Sequence, residues 1–203
     1  MSFLSTLAFV LIVIAAMVIL VFRDWRINAF ALTVQYLSAF ILIAQSWPIG
    51  MAVVKLIVGW MATAALALTC LRQKEPGGAD ESTTSLFFRG LAGLLAIIVV
   101  FIISPTLKAD VFPQVDLIIL QSGLMLCGLA LMQLGTSADP YLTIISLLSL
   151  LSGFEVIHAA LEISTLLTGL LAVVNLGLAL VGVYFITKMD EKPESPDQEG
   201  ENS

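Results

Sequence analysis

The feature that most constrains this chain is its series of long, unbroken apolar stretches. A helix needs about 20 predominantly apolar residues to cross the hydrocarbon of a bilayer. Seven stretches qualify, over residues 4–22, 27–46, 49–71, 86–104, 117–135, 141–161 and 164–187. They are apolar continuously rather than in alternation, which excludes the strands of a β-barrel and leaves the helix as the spanning form. The expected fold is therefore all-α: a polytopic membrane protein built as a bundle of about seven transmembrane helices.

Each stretch stops at a polar or turn-forming cluster. The breaks are Arg23-Asp24-Trp25-Arg26, Ser46-Trp47-Pro48, Gln73 to Ser85 (with Pro76-Gly77-Gly78 inside it), Pro105 to Asp116, and Gly135 to Pro140. Pro48 suits the first turn of the helix that follows it. Residues 141–187 form one apolar run, too long for one span and right for two, with a tight turn near Glu162 to Thr165.

Basic residues set the expected orientation. In a seven-span topology one side holds Arg23, Arg26, Arg72, Lys74, Arg89, Lys188 and Lys192, and the other holds Lys108. The positive-inside rule assigns the first group to the cytoplasm, with the N-terminus outside and the C-terminus inside. The first span reads as a retained anchor rather than a signal peptide. Arg23 and Arg26 follow it, nothing positive precedes it, and no small-residue cleavage site closes it.

Composition sharpens the exclusions. The chain is 59% apolar and 12% charged, whereas a soluble domain is about half apolar and a quarter charged. Its nine Lys and Arg are scattered and the net charge is −6, so no basic stripe offers itself to nucleic acid. Much of that negative charge belongs to residues 189–203, where Asp190, Glu191, Glu194, Asp197, Glu199 and Glu201 surround Pro193 and Pro196. This segment is expected to be a disordered acidic cytoplasmic tail, either simply solvated or a docking segment for a partner. Residues 1–188, the expected seven-span domain, hold eight basic and nine acidic groups. Cys70 and Cys127 lie in apolar runs and read as small hydrophobes, not as a disulfide framework. The sequence contains no phosphate-binding loop of the GxxxxGK[ST] type, no HExxH, no CxxC and no haem-type Cys pair. No loop is long enough to hold a soluble catalytic domain. We therefore expect no cofactor, no metal and no catalytic residue.

Charged side chains inside lipid are costly, so each one is a functional hypothesis. Glu155, His158 and Glu162 fall on the sixth span at i, i+3 and i+7, one stripe of a helix, with Ser152 a step before them. Three titratable groups on one face are the arrangement a proton relay requires. Plainer roles also fit. Glu162 could sit at headgroup level or cap the turn, Glu155 could hydrogen-bond a neighbouring helix, and His158 could be a satisfied interior histidine. Lys55 lies seven residues past Pro48, roughly 10 Å along a helix. It either snorkels to the outer surface or pairs with a carboxylate, and Glu155 is expected in the same outer half. Gln35, Gln45, Gln121, Gln133 and Asn175 can hydrogen-bond between helices. Gly90, Gly93, Gly123, Gly128, Gly169, Gly177 and Gly182 allow helices to approach closely.

From Asp116 onward, Leu151-Ser152-Gly153-Phe154-Glu155-Val156-Ile157-His158-Ala159 resembles the Gly-x-Glu helix of the small membrane subunit of complex I, the subunit K or 4L type. The whole length resembles the hydrogenase-4 component E branch of that group. Ala52-Val53-Val54-Lys55-Leu56 resembles that branch's early Lys-bearing helix, and Glu155, His158 and Glu162 resemble its late Glu, His and turn acid. Residues 117–187 would correspond to the three-span core of subunit K. The resemblance implies a non-catalytic membrane-arm subunit of a complex I-like oxidoreductase, a group 4 hydrogenase or a related antiporter complex. Its partners would be antiporter-like membrane subunits, its place the inner membrane of a bacterium or archaeon, and its role proton or cation translocation through Glu155, His158, Glu162 and Lys55. Two departures stand out. The Glu-to-His step is three residues where four is expected, and the final span holds Asn175 but no acid.

Two rival readings come from other classes. A free-standing small transporter would show internal repeats and broken helices around a midplane site, and the sequence shows neither. In a structural or assembly protein, the polar groups would only specify helix packing.

Overall fold

A computed structural model describes residues 3–72 and 83–190. Lys74, the Pro76-Gly77-Gly78 turn and the acidic segment beyond Asp190, with Lys192, lie outside the described residues. Every regular element among the described residues is a helix: α1 (Phe3–Val21), α2 (Trp25–Ile43), α3 (Ile49–Arg72), α4 (Thr83–Asp110), α5 (Leu117–Thr136), α6 (Pro140–Leu161) and α7 (Thr165–Asp190). Seven helices are thus long and apolar enough to cross a membrane.

The breaks supply the caps. The carboxylates of Asp24, Asp116 and Asp139 accept from the backbone N–H groups of Arg26, Ile118 and Tyr141. Each satisfies one of the donors that a helix start leaves without an intrahelical partner. Pro140 occupies the first turn of α6, where its missing N–H costs nothing. Pro48 lies just before α3, and its carbonyl accepts from Met51 and Ala52. The long apolar run divides at residues 162–164, with Glu162 extended.

The fourth helix corrects the sequence reading. It was expected over 86–104 with a break at Pro105, yet it runs through Pro105 to Asp110. A proline inside a helix deprives the carbonyl four residues back of its donor. That carbonyl belongs to Phe101, and the Ser104 hydroxyl donates to it at 3.5 Å. Gln121 of α5 in turn donates to Ser104 Oγ at 2.9 Å. A side-chain relay from α5 thus substitutes for the lost backbone bond, and the helix continues.

The helices pack as two rows. α1, α2 and α3 lie side by side, and α4, α5, α6 and α7 form the facing row. α1 rests on α5 and α4, α2 on α6, and α3 on α7. α2 and α6 run parallel. Tyr141 Oη donates to the Trp25 carbonyl near one end, Ser149 Oγ to Gln35 Oε1 midway, and the rings of Trp47 and His158 meet at the other end. Two apolar clusters fill the space between the rows, one around Ile12, Leu42, Leu120 and Leu126, the other around Leu32, Leu66, Ile145 and Leu148.

Close approach falls at particular glycines. A Cβ on Gly153 would lie 2.7 Å from the Gly123 carbonyl oxygen, and one on Gly123 would lie 2.8 Å from that of Gly153. α5 and α6 therefore touch backbone to backbone. Gly93 and Gly182 are similarly crowded by neighbouring helices, whereas Gly90, Gly169 and Gly177, also expected to be packing residues, face open space. The outward faces are strongly apolar: Phe87 is 74% exposed, Leu166 80% and Val173 69%. A contiguous surface of this kind is untenable in water and suits lipid, compatible with a multi-pass membrane protein.

Candidate functional site

Four helices meet where α2 faces α6 and α3 faces α7. Two side-chain pairs cross this junction on its diagonals. Lys55 of α3 reaches Glu155 of α6, Nζ to Oε1 at 2.9 Å. Tyr36 of α2 reaches Asn175 of α7, its hydroxyl donating to Oδ1 at 3.0 Å. The Lys55 and Glu155 side chains are 6% and 5% exposed, so neither is a surface group. The contact is an ion pair at hydrogen-bond distance. Of the two sequence readings of Lys55, the geometry is that of pairing, not snorkelling.

The local sequence explains why the four groups converge. Gly59, one turn beyond Lys55, leaves the space that the Tyr36 ring fills; a Cβ there would lie 2.4 Å from the ring. With Tyr36 pressed onto α3, its hydroxyl extends to α7 and stays within electrostatic reach of Glu155. Thr63, a further turn on, returns its hydroxyl to the Gly59 carbonyl and adds no free polar group.

Trp47 lies between the ion pair and the histidine. Its ring is buried in the turn after α2. Lys55 Nζ stands 5.5 Å from the ring centroid, within cation–π range. His158 meets the same ring edge-on at 6.4 Å and stacks on Phe154 at 6.0 Å. His158 is thus joined to the charge pair through Trp47, and its Nδ1 is buried with no protein partner.

Glu162 does not belong to this cluster. The stripe at i, i+3 and i+7 requires the helix to continue, but α6 ends at Leu161. Glu162 is the exposed C-cap, and its backbone N–H donates to the His158 carbonyl at 3.0 Å. Of the four residues picked from the sequence, the structure brings together Lys55 and Glu155, adds His158 through Trp47, and leaves Glu162 outside.

Of the polar surround, sequence reasoning named Ser152 and Gln35 and missed Ser146, Ser149 and Asn28. Ser146, Ser149 and Ser152 lead up to Glu155 at three-residue steps, and all four are buried. Asn28 and Gln35, seven residues apart on one face of α2, are both fully buried, and Gln35 accepts from Ser149 at 3.4 Å. The three-residue serine spacing was a readable signal. Trp47 and Tyr36 carried none.

Among the described residues no group of three or more His, Cys, Asp or Glu could hold a metal ion. Cys70 and Cys127 are free thiols. The site is therefore a buried charge pair at the junction of four apolar helices. No family model, curated protein or solved structure matches the chain.

Proposed function

We propose that this chain is a seven-span subunit of an ion-translocating membrane complex, with its N-terminus outside and its C-terminus in the cytoplasm. Its class is that of the membrane arm of complex I-like oxidoreductases, group 4 hydrogenases and related antiporters, which the positions of Lys55, Glu155 and His158 resemble. In this reading Glu155 carries the proton, Lys55 balances its charge and His158 relays, while antiporter-like subunits of a cell membrane are the partners.

The observation that carries the proposal is the ion pair of Lys55 and Glu155 at 2.9 Å between two of the apolar helices. Burying two charges costs several kcal/mol per ion and is only partly offset by their attraction. A packing role needs no charge there, since apolar side chains of similar volume serve as well or better. Intramembrane ionisable residues that face a bundle interior and pair with one another are typical of proton and ion routes.

Glu155→Gln keeps the size of the side chain and removes its proton-carrying function. In membrane vesicles of the native complex, energy-driven proton uptake should fall sharply. Unchanged uptake would eliminate the role. The topology is checked separately by a reporter fused after Lys188, which should be active only in the cytoplasm.

A further inference from the structure

Four buried side-chain atoms among the described residues have no protein partner, Asn28 Oδ1, Gln35 Nε2, Trp47 Nε1 and His158 Nδ1, and the Lys55 ammonium, with three N–H donors, meets only Glu155. They are not scattered. Asn28 and Gln35 share one face of α2, Trp47 lies in the turn after it, and Lys55 and His158 come from the two helices that meet there. Elsewhere in the bundle comparably buried amides are satisfied. Gln133 donates to the Ile19 carbonyl at 3.1 Å, and Asn175 accepts from Tyr36. The unpartnered groups thus fall along a single seam between α2, α3 and α6.

At a rise of 1.5 Å per residue, Asn28 to Gln35 on α2 is roughly 10 Å, and Ser149 to His158 on α6 is roughly 13 Å. Gln35 and Ser149 touch, so the two lengths join end to end. Together they cover most of the ~30 Å hydrocarbon thickness. Ser146, Ser149, Ser152 and Glu155 supply further buried oxygens, each three-residue step turning about 60° around α6, so that the row winds from Gln35 of α2 at Ser149 to Lys55 of α3 at Glu155.

An unsatisfied buried donor or acceptor costs about 1–3 kcal/mol. Four of them around one ion pair imply a common partner able both to donate and to accept. Trp47 Nε1 and Lys55 Nζ only donate, whereas Asn28 Oδ1 only accepts. Water meets both needs and is the usual occupant of buried polar sites. We propose that the seam between α2, α3 and α6 holds a file of internal water running from the Trp47–His158 end, past the ion pair, to Asn28. Such a file lets a proton reach Glu155 from both ends of the bundle. The proposal takes from the preceding section only that the bundle sits in a membrane, and it stands whether or not Glu155 is the carrier.

The test is silver-ion access to introduced thiols in nanodiscs, with Cys70 and Cys127 first replaced by alanine. A thiol reacts with silver ion as the thiolate, which forms only where water reaches it. Ser149→Cys and Ser152→Cys change one atom each. Val173→Cys, on an exposed face of α7, is the lipid-facing control. After silver treatment the protein is denatured and its remaining thiol is labelled with a maleimide. Labelling should be lost at S149C and S152C and retained at V173C. Adding Gln35→Leu to S149C should restore labelling, because it removes the unpartnered amide from the middle of the file. Labelling retained at either serine position would overturn the proposal and leave the membrane reading intact. Labelling lost at V173C as well would show that water reaches the outer face of α7, which would overturn the membrane placement itself.

Discussion

Replacing Lys55 with methionine isolates the central interaction of the bundle. The unbranched stem is kept as far as Cε, with sulfur in place of Cδ, and the ammonium is removed. At 2.9 Å and an effective dielectric of about 20, the attraction between the two charges is about 6 kcal/mol. Desolvation of both ions consumes most of that gain, so the intact pair contributes little net stability. The cost of K55M has another origin. It leaves the buried Glu155 carboxylate with no counter-charge, and breaking a buried pair in this way costs about 3–5 kcal/mol. Replacing both partners with K55M/E155L removes both desolvation costs and should return close to the parent stability. The assay is unfolding by sodium dodecyl sulfate in mixed micelles, followed by tryptophan fluorescence, with Trp47 lying directly against the pair. The expected order is parent and double variant similar, K55M far below both. A cost for K55M under about 1 kcal/mol, the range of solvent-exposed pairs, would refute the reasoning. So would a double variant no more stable than K55M.

Four further substitutions test the packing and the edges of the site. Gly153→Ala places a Cβ 2.7 Å from the Gly123 carbonyl oxygen, so it should destabilise by about 1–3 kcal/mol in the same unfolding assay. Gly177→Ala, with nothing within 4 Å, should leave stability unchanged or raise it by up to about 1 kcal/mol. Glu162→Gln alters an exposed cap and should change stability by less than about 0.5 kcal/mol, with proton uptake in vesicles unaffected; a large loss of uptake would restore Glu162 to the site. Ser104→Ala leaves the Phe101 carbonyl and the Gln121 amide without each other's bridge, costing about 1–3 kcal/mol, and should speed amide hydrogen exchange around Pro105.

The sequence revealed the seven helices and the chemistry of the junction, and concealed the way the bundle is packed. Helix number was legible because lipid demands unbroken apolar length, which is a property of composition along the chain. Lys55 and Glu155 were legible because a charge among apolar residues stands out whatever it faces. Pro105 misled because its effect on a helix depends on whether Ser104 and Gln121 can replace the missing donor, and Gln121 comes from another helix. Glu162 was legible as a cap of the turn and not as a member of the stripe, because a seven-residue spacing aligns side chains only while the helix lasts, and α6 stops one residue short of it. Gly59 and Gly153 gave no signal because a glycine in a span has the same appearance whether it faces lipid or a neighbouring backbone.

Apolar periodicity, which separates the inside of a soluble helix from its outside, fails here because protein interior and lipid are alike apolar. Polar periodicity replaces it. On α2 the buried polar set is Asn28, Gln35 and Ser38; on α6 it is Ser146, Ser149, Ser152 and Glu155; on α4 it is Arg89 and Ser104, one near each end. The two helices richest in inward polar groups are the two that face each other across the centre of the bundle, while α4 lies at its margin with Phe87, Phe88, Leu91 and Ile102 all more than half exposed. Buried serine, asparagine and glutamine therefore single out α2 and α6 as a facing pair, where leucine and valine do not. By that measure the buried polar groups concentrate where α2 faces α6, beside the ion pair that Glu155 of α6 makes with Lys55 of α3.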